Sequence, residues 1–150
     1  MMSLGQQLSL SASLMITEPV EPTPDIKIFT VAEANALLPT VRGILTRIQR
    51  AHKRLSSYGK EVKKAAEGAE QGGGGIAQGT RYAELLMELT SDTTELEALG
   101  VHLKDFDRGL VDFPSLREGR VVFLCWQIGE GDELEWWHDV EAGFAGRTPL

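Results

Sequence analysis

Leu110-Val-Asp-Phe-Pro114, Val122-Phe-Leu-Cys-Trp-Gln-Ile-Gly-Glu130 and Trp136-Trp-His-Asp139 are short β-type segments separated by glycine-bearing turns. Their period of two is that of strands, and it begins abruptly after Gly100. Upstream, Leu37, Val41, Ile44, Ile48, Ala51, Leu55, Tyr58, Val62, Ala65 and Ala69 step by four and three, which is a heptad seam. One chain that changes period once predicts an α+β fold. The expected architecture is a long antiparallel helical hairpin packed on a small antiparallel β-meander of three or four strands.

The helices carry their own punctuation. Thr30 caps the first, and Glu33 three residues on completes a capping box. Pro39 is expected to bend or restart that helix, because its ring removes a backbone donor. Gly72-Gly-Gly-Gly75 ends it; no Gly-Lys-Ser/Thr follows, so this is a hairpin connection and not a phosphate loop. A second helix is expected from about Gln78 to Leu99, with Tyr82, Leu86, Leu89, Thr93 and Leu96 inward and Gly100 closing it. Residues 1–25, rich in Ser, Gln and Pro, hold too little apolar content to fold and are expected to be a disordered tail. Residues 26–150 then form a single domain. Residues 26–100 are its hairpin, with a glycine-rich connection at 68–77, and residues 101–150 its meander and C-terminal tail.

Charge is unevenly spread over the 150 residues, whose net charge is −7. Residues 26–69 carry nine Lys/Arg against three acids, residues 77–100 one against five, and residues 101–150 five against ten. A basic helix packed beside an acidic helix and sheet accounts for this. Nucleic acid is disfavoured as a partner, because the acidic surface would repel phosphates and no aromatic stacking platform accompanies the basic stretch. The single cysteine forms no internal disulfide, the N-terminus is a poor signal peptide, and no apolar run reaches the roughly 18 residues of a membrane span. A cytoplasmic location is expected. The first seam outruns the second, which leaves surface for a second copy and makes a homodimer through the hairpin the expected assembly.

The last fifty residues hold all three tryptophans, the only cysteine and two of the three histidines. Strands are expected at 101–106, 110–115, 120–128 and 133–139. A three-residue loop at Arg117–Gly119 pairs Phe113 with Phe123, and a tight turn at Glu130-Gly131 pairs Cys125 with Trp136 and Phe123 with His138. A two-residue turn at Asp107-Arg108 pairs His102 with Phe113. One face then shows His102, Lys104, Val111, Phe113, Phe123, Cys125, Trp136 and His138; the other, carrying Leu103, Leu110, Asp112, Leu124, Trp126 and Trp137, is the better core. Aromatic walls with a few convergent polar groups suit a small-molecule site, with His138 as its titrating group. The bland alternatives are a buried apolar cysteine and a histidine bonded to backbone. Zinc on His102, His138 and Cys125 is chemically reasonable but has no fixed ligand spacing, so the sequence requires no metal or cofactor.

The strings Phe29-Thr-x-x-Glu-Ala-Asn-x-Leu-Leu-Pro39, Gly100-Val-x-Leu-Lys-Asp105, Gly109-Leu-Val-Asp-Phe-Pro114, Leu124-Cys-Trp-x-x-Gly-Glu130, Trp137-His138 and Gly143-Phe-x-Gly-Arg-x-Pro-Leu150 resemble a family of small uncharacterised prokaryotic proteins, domain of unknown function 2203. The resemblance spans about residues 28–150. It implies a cytoplasmic bacterial or archaeal protein and brings no catalytic residues with it. It places Lys104, Asp105, Asp112, Cys125, Trp126, Glu130, Trp137, His138 and Arg147 in the signature. Arg147 can fold back to present a guanidinium to a carboxylate or phosphate, or pair with Asp112 or Glu130.

The candidate ligand-binding residues are thus His138, Cys125, Asp112, Trp136, Glu130, Arg147 and Lys104. Three functions compete, and the sequence leaves open whether the protein is an enzyme. The first is a non-catalytic module binding a small molecule or protein. The second is a small, metal-dependent or hydrolase-like enzyme using His138. The third is a scaffold acting through its coiled helices.

Overall fold

The computed structural model describes residues 25–68 and 75–150; the expected tail up to residue 24 and the glycine-rich stretch 69–74 lie outside them. Two helices come first, α1 (Val31–Gly68) and α2 (Gly75–Ala98). At the head of α1, Thr30 Oγ1 accepts from the Glu33 backbone N–H while Glu33 accepts from the Thr30 N–H. That reciprocal pair is the capping box. Pro39 does not divide the helix: α1 runs through it unbroken. The lost Pro39 N–H removes one bond, and burial of Ala34 and Leu38 before it and Val41 and Ile44 after it keeps the two halves on one core face.

Along α1 the seam is buried as far as Ala51, half-buried at Leu55 and Tyr58, and open at Val62. α2 answers with Leu85 and Leu96, not with the expected Leu86, which is exposed. Tyr58 and Tyr82 stack at 6.4 Å where the helices cross. Gly100 ends α2 at φ 86°, and its N–H bonds the Glu97 carbonyl. That left-handed conformation suits glycine, and a Cβ there would meet Lys27. No helix among the described residues is long and apolar enough to cross a membrane.

The sheet is an antiparallel meander of five strands in sequential order: β1 (His102–Asp105), β2 (Leu110–Arg117), β3 (Arg120–Gln127), β4 (Trp136–Asp139) and β5 (Thr148–Pro149). The two-residue β5, not expected from the sequence, brings the C-terminus back beside β4, and the Leu150 N–H bonds the Glu135 carbonyl. The inner face buries Val111, Phe113, Leu124 and Trp126 against Leu38, Val41, Leu45 and Ile48 of α1 in one cluster. Phe29 locks the start of the domain to β2: its N–H bonds the Pro114 carbonyl, and Ser115 Oγ donates to its carbonyl.

The register of β2 corrects the sequence reading. Arg117 pairs with Arg120 across the two-residue turn Glu118-Gly119, not across a three-residue loop. Both turn residues have positive φ, 53° and 77°, as a type I′ hairpin requires. Phe113 therefore faces Leu124, Val111 faces Trp126 and Asp112 faces Cys125. A slip of one residue exchanges the faces of the whole strand. Val111 and Phe113 move to the core, and Leu110 and Asp112 move to the outer face. The β1–β2 connection also slips, through a four-residue loop and a bulge, so His102 pairs with Asp112 instead of Phe113. The two slips cancel for β1, leaving His102 and Cys125 on one face.

Candidate functional site

Asp112, Cys125 and His138 sit on three adjacent strands and meet on the outer face. Asp112 and Cys125 are direct cross-strand partners; His138, on β4, lies two residues along from Trp136, the residue opposite Cys125, and reaches back diagonally. One oxygen, one sulfur and one nitrogen from these residues all fall within 4.8 Å of one another. The cluster is closed, with the three residues only 2%, 0% and 3% exposed. Two polar side chains this deep on the face away from the helices, Asp112 and His138, are not explained by core packing, and the buried Cys125 lies beside them.

His138 is fixed from both sides. Its Nδ1 lies 2.8 Å from the Asp139 carbonyl and its Nε2 lies 3.0 Å from Asp112 Oδ1. A carbonyl only accepts, so Nδ1 carries a hydrogen and the second nitrogen is turned toward the cluster. A proton lies between Nε2 and Oδ1, carried by one partner or the other, because two lone pairs do not bond each other. The Cys125 thiol is pushed up to about 12, first by burial and then by the Asp112 charge, with Arg147 opposing. It is a protonated thiol near neutral pH, not a thiolate nucleophile.

The C-terminal segment crosses this face. Its guanidinium, Arg147, stacks over Trp136 at 5.0 Å and over Phe144 at 4.6 Å, while Arg108 of the β1–β2 loop covers the same Phe144 at 4.8 Å. Arg147 Nη2 is 2.6 Å from Glu130 Oε1, and Glu130 Oε2 accepts from the Gln127 N–H. Arg147 Nε is also buried and has no hydrogen-bond partner among the described residues, and the side chain is only 10% exposed. The ion pair engages Nη2, and Nε is the buried donor left over.

The expected site residues thus divide. His138, Cys125 and Asp112 form the cluster, and Arg147, Glu130 and Trp136 form the layer beside it. Lys104 lies on the same face but outside, over the Phe123 ring at 5.6 Å and in a groove with His102 and Phe106. His102, expected in the zinc trio, lies outside the cluster: it is exposed, and Phe123 stands between it and His138, with ring distances of 5.7 and 5.6 Å. Asp112 takes its place. Reading Glu118-Gly119 as a two-residue turn is the signal that would have placed Asp112 correctly. The grooves that do open to solvent are elsewhere; one of about 650 Å³ runs between α1 and α2, beside Arg50, Arg54, Met87 and Glu88.

A family model described as "Uncharacterized conserved protein (DUF2203)" matches residues 27–150. No curated protein and no solved structure matches the chain.

Proposed function

We propose that this chain, which belongs to the DUF2203 family, is a non-catalytic binding module that holds a small ligand on the outer face of its sheet, beneath its own C-terminal segment. The observation that carries this reading is Arg147: nine-tenths buried beside a closed acid–thiol–imidazole cluster, with its Nε–H lacking an acceptor. A buried donor left unmade costs about 1–3 kcal/mol, and an occupant that accepts from it removes that cost. Catalysis is the weaker reading. The thiol is held protonated, both imidazole nitrogens are engaged, and the cluster is shut off from substrate. Native mass spectrometry of freshly purified, untagged protein tests it: a discrete stoichiometric adduct is expected, and bare chain mass from every preparation overturns it.

We further propose a cytoplasmic, prokaryotic setting and a homodimer through the helical hairpin. The apolar seam of α1 is open at Val62, and Leu86 and Met87 on α2 are exposed at 40% and 72%. A coiled pairing of two such hairpins covers both.

A further inference from the structure

Resting on the reading that the outer face is a ligand site, we propose that its ligand is one divalent transition-metal ion of the zinc class, held by His138 Nε2, a carboxylate oxygen of Asp112 and Cys125 Sγ. A tetrahedral zinc ion with bonds of about 2.0–2.3 Å sets its ligand atoms about 3.3–3.6 Å apart. Here the nitrogen and oxygen are already 3.0 Å apart and all three atoms lie within 4.8 Å. Shifts of a few tenths of an ångström to about an ångström, available to side-chain torsions, complete the geometry without moving a strand.

The supporting contacts are those a metal histidine needs. The Asp139 carbonyl takes the Nδ1 hydrogen and so turns the Nε2 lone pair into the cluster. The ligands stand on neighbouring strands of one meander, a more rigid base than loops. Their chemistry selects the ion: one thiolate, one imidazole and one carboxylate suit zinc, cobalt(II) or iron(II), whereas magnesium and calcium take oxygen shells. Charge balances as well, since thiolate and carboxylate together match a dication. On binding, the Cys125 S–H bond and the N–H or O–H bond between His138 and Asp112 each release a proton to solvent, and the freed electron pairs become metal–ligand bonds.

Three protein ligands leave a fourth tetrahedral position for a water or a small anion. Arg147 is the group to face it: its guanidinium lies over the ring of Trp136, the cross-strand partner of Cys125, and its buried Nε–H has no acceptor.

The chain has one cysteine, so a cobalt spectrum tests the site on the unaltered protein. Untagged full-length protein is stripped with chelator, titrated with Co²⁺ and then Zn²⁺, and analysed for bound metal. The expected result is one ion per chain, with a thiolate-to-cobalt charge-transfer band that Zn²⁺ bleaches. Cys125→Ser should abolish that band, and Asp112→Asn should weaken the site at least tenfold, while His102→Gln changes neither. Should the cluster variants fail to fold, the wild-type band decides alone. Folded, stripped protein that takes up no ion, or binds cobalt without the band, overturns the proposal. If that protein still carries an organic adduct by native mass spectrometry, the ligand site stands and only the metal falls; with neither, both fall.

Discussion

His138 Nε2 and Asp112 Oδ1 lie 3.0 Å apart, 26 residues apart in sequence and two strands apart in the sheet, with both side chains almost wholly removed from water. Removing one partner strands the other in a low-dielectric site, which typically costs about 3–5 kcal/mol. Asp112→Ala and His138→Ala should each destabilise the metal-free chain by about that much in urea unfolding, and the double variant by far less than their sum. Additive losses, within about 0.5 kcal/mol, would show that the two side chains act independently.

The turn that aligns these residues has a correctable flaw. Glu118 takes φ 53°, where a side chain other than Asn or Gly is at a disadvantage, ahead of Gly119 at φ 77°. Glu118→Asn supplies the Asn-Gly sequence that type I′ turns favour, and should stabilise the protein by about 0.5 kcal/mol, or one to two degrees in melting temperature. Lengthening the turn by a glycine should do the opposite, since it works against the register that buries Phe113. A neutral insertion would mean that the turn does not hold the register.

That turn is also why the sequence yielded more of the fold than of the site. Heptad spacing along the first half of α1, the Thr30–Glu33 cap and Gly100 are local signals, and each marks a helix boundary or face correctly. Strand faces depend on register, and register hung on whether Arg117 belongs to the loop or to the strand. A glutamate at positive φ does not advertise a two-residue turn, so the pattern alone puts Asp112 on the core face and separates the acid from the thiol and imidazole. Leu85 displaced Leu86 for a similar reason: both positions are leucine, and only packing against α1 chooses between them. β5 has just two residues and no strand period to read.

Cys125 gives a signed pH dependence. Its folded pKa is raised from the ordinary 9.0 to about 12, chiefly by burial. The protonated thiol therefore favours the folded state fully below about pH 9, and that contribution is lost as pH climbs from 9 toward 12. Metal-free wild type should lose stability over that window more steeply than Cys125→Ala, measured by urea midpoints at several pH values. The native thiol should also resist alkylation at neutral pH and react promptly in denaturant. Rapid native alkylation would contradict the sealed geometry.

Self-association is expected to run through the helical groove. Arg50, Arg54 and Glu88 line it around Met87 and have no ion-pair partner among the described residues, whereas Arg47 is neutralised by Asp92 and Glu95. A second copy in antiparallel array sets a basic α1 against an acidic α2 over Leu86 and Met87. Light scattering coupled to size exclusion should give a dimer mass that falls to a monomer in Met87→Glu and dissociates with salt in the wild type. A wild-type monomer at high micromolar concentration sinks the dimer.

Arg147→Met separates ligand binding from fold maintenance. Methionine keeps an apolar stem against Trp136 and Phe144 but removes the charge beside Glu130 and the Nε–H that lacks an acceptor. Loss of the ion pair costs stability, and loss of an unmade buried donor, at about 1–3 kcal/mol, offsets it. The metal-free variant should therefore unfold within about 1 kcal/mol of the wild type. Its metal site should still form but hold an exogenous anion, such as azide added to the cobalt-loaded protein, more weakly by at least tenfold. Collapse of the fold would make Arg147 a structural pin, and unchanged azide affinity would remove it from the site.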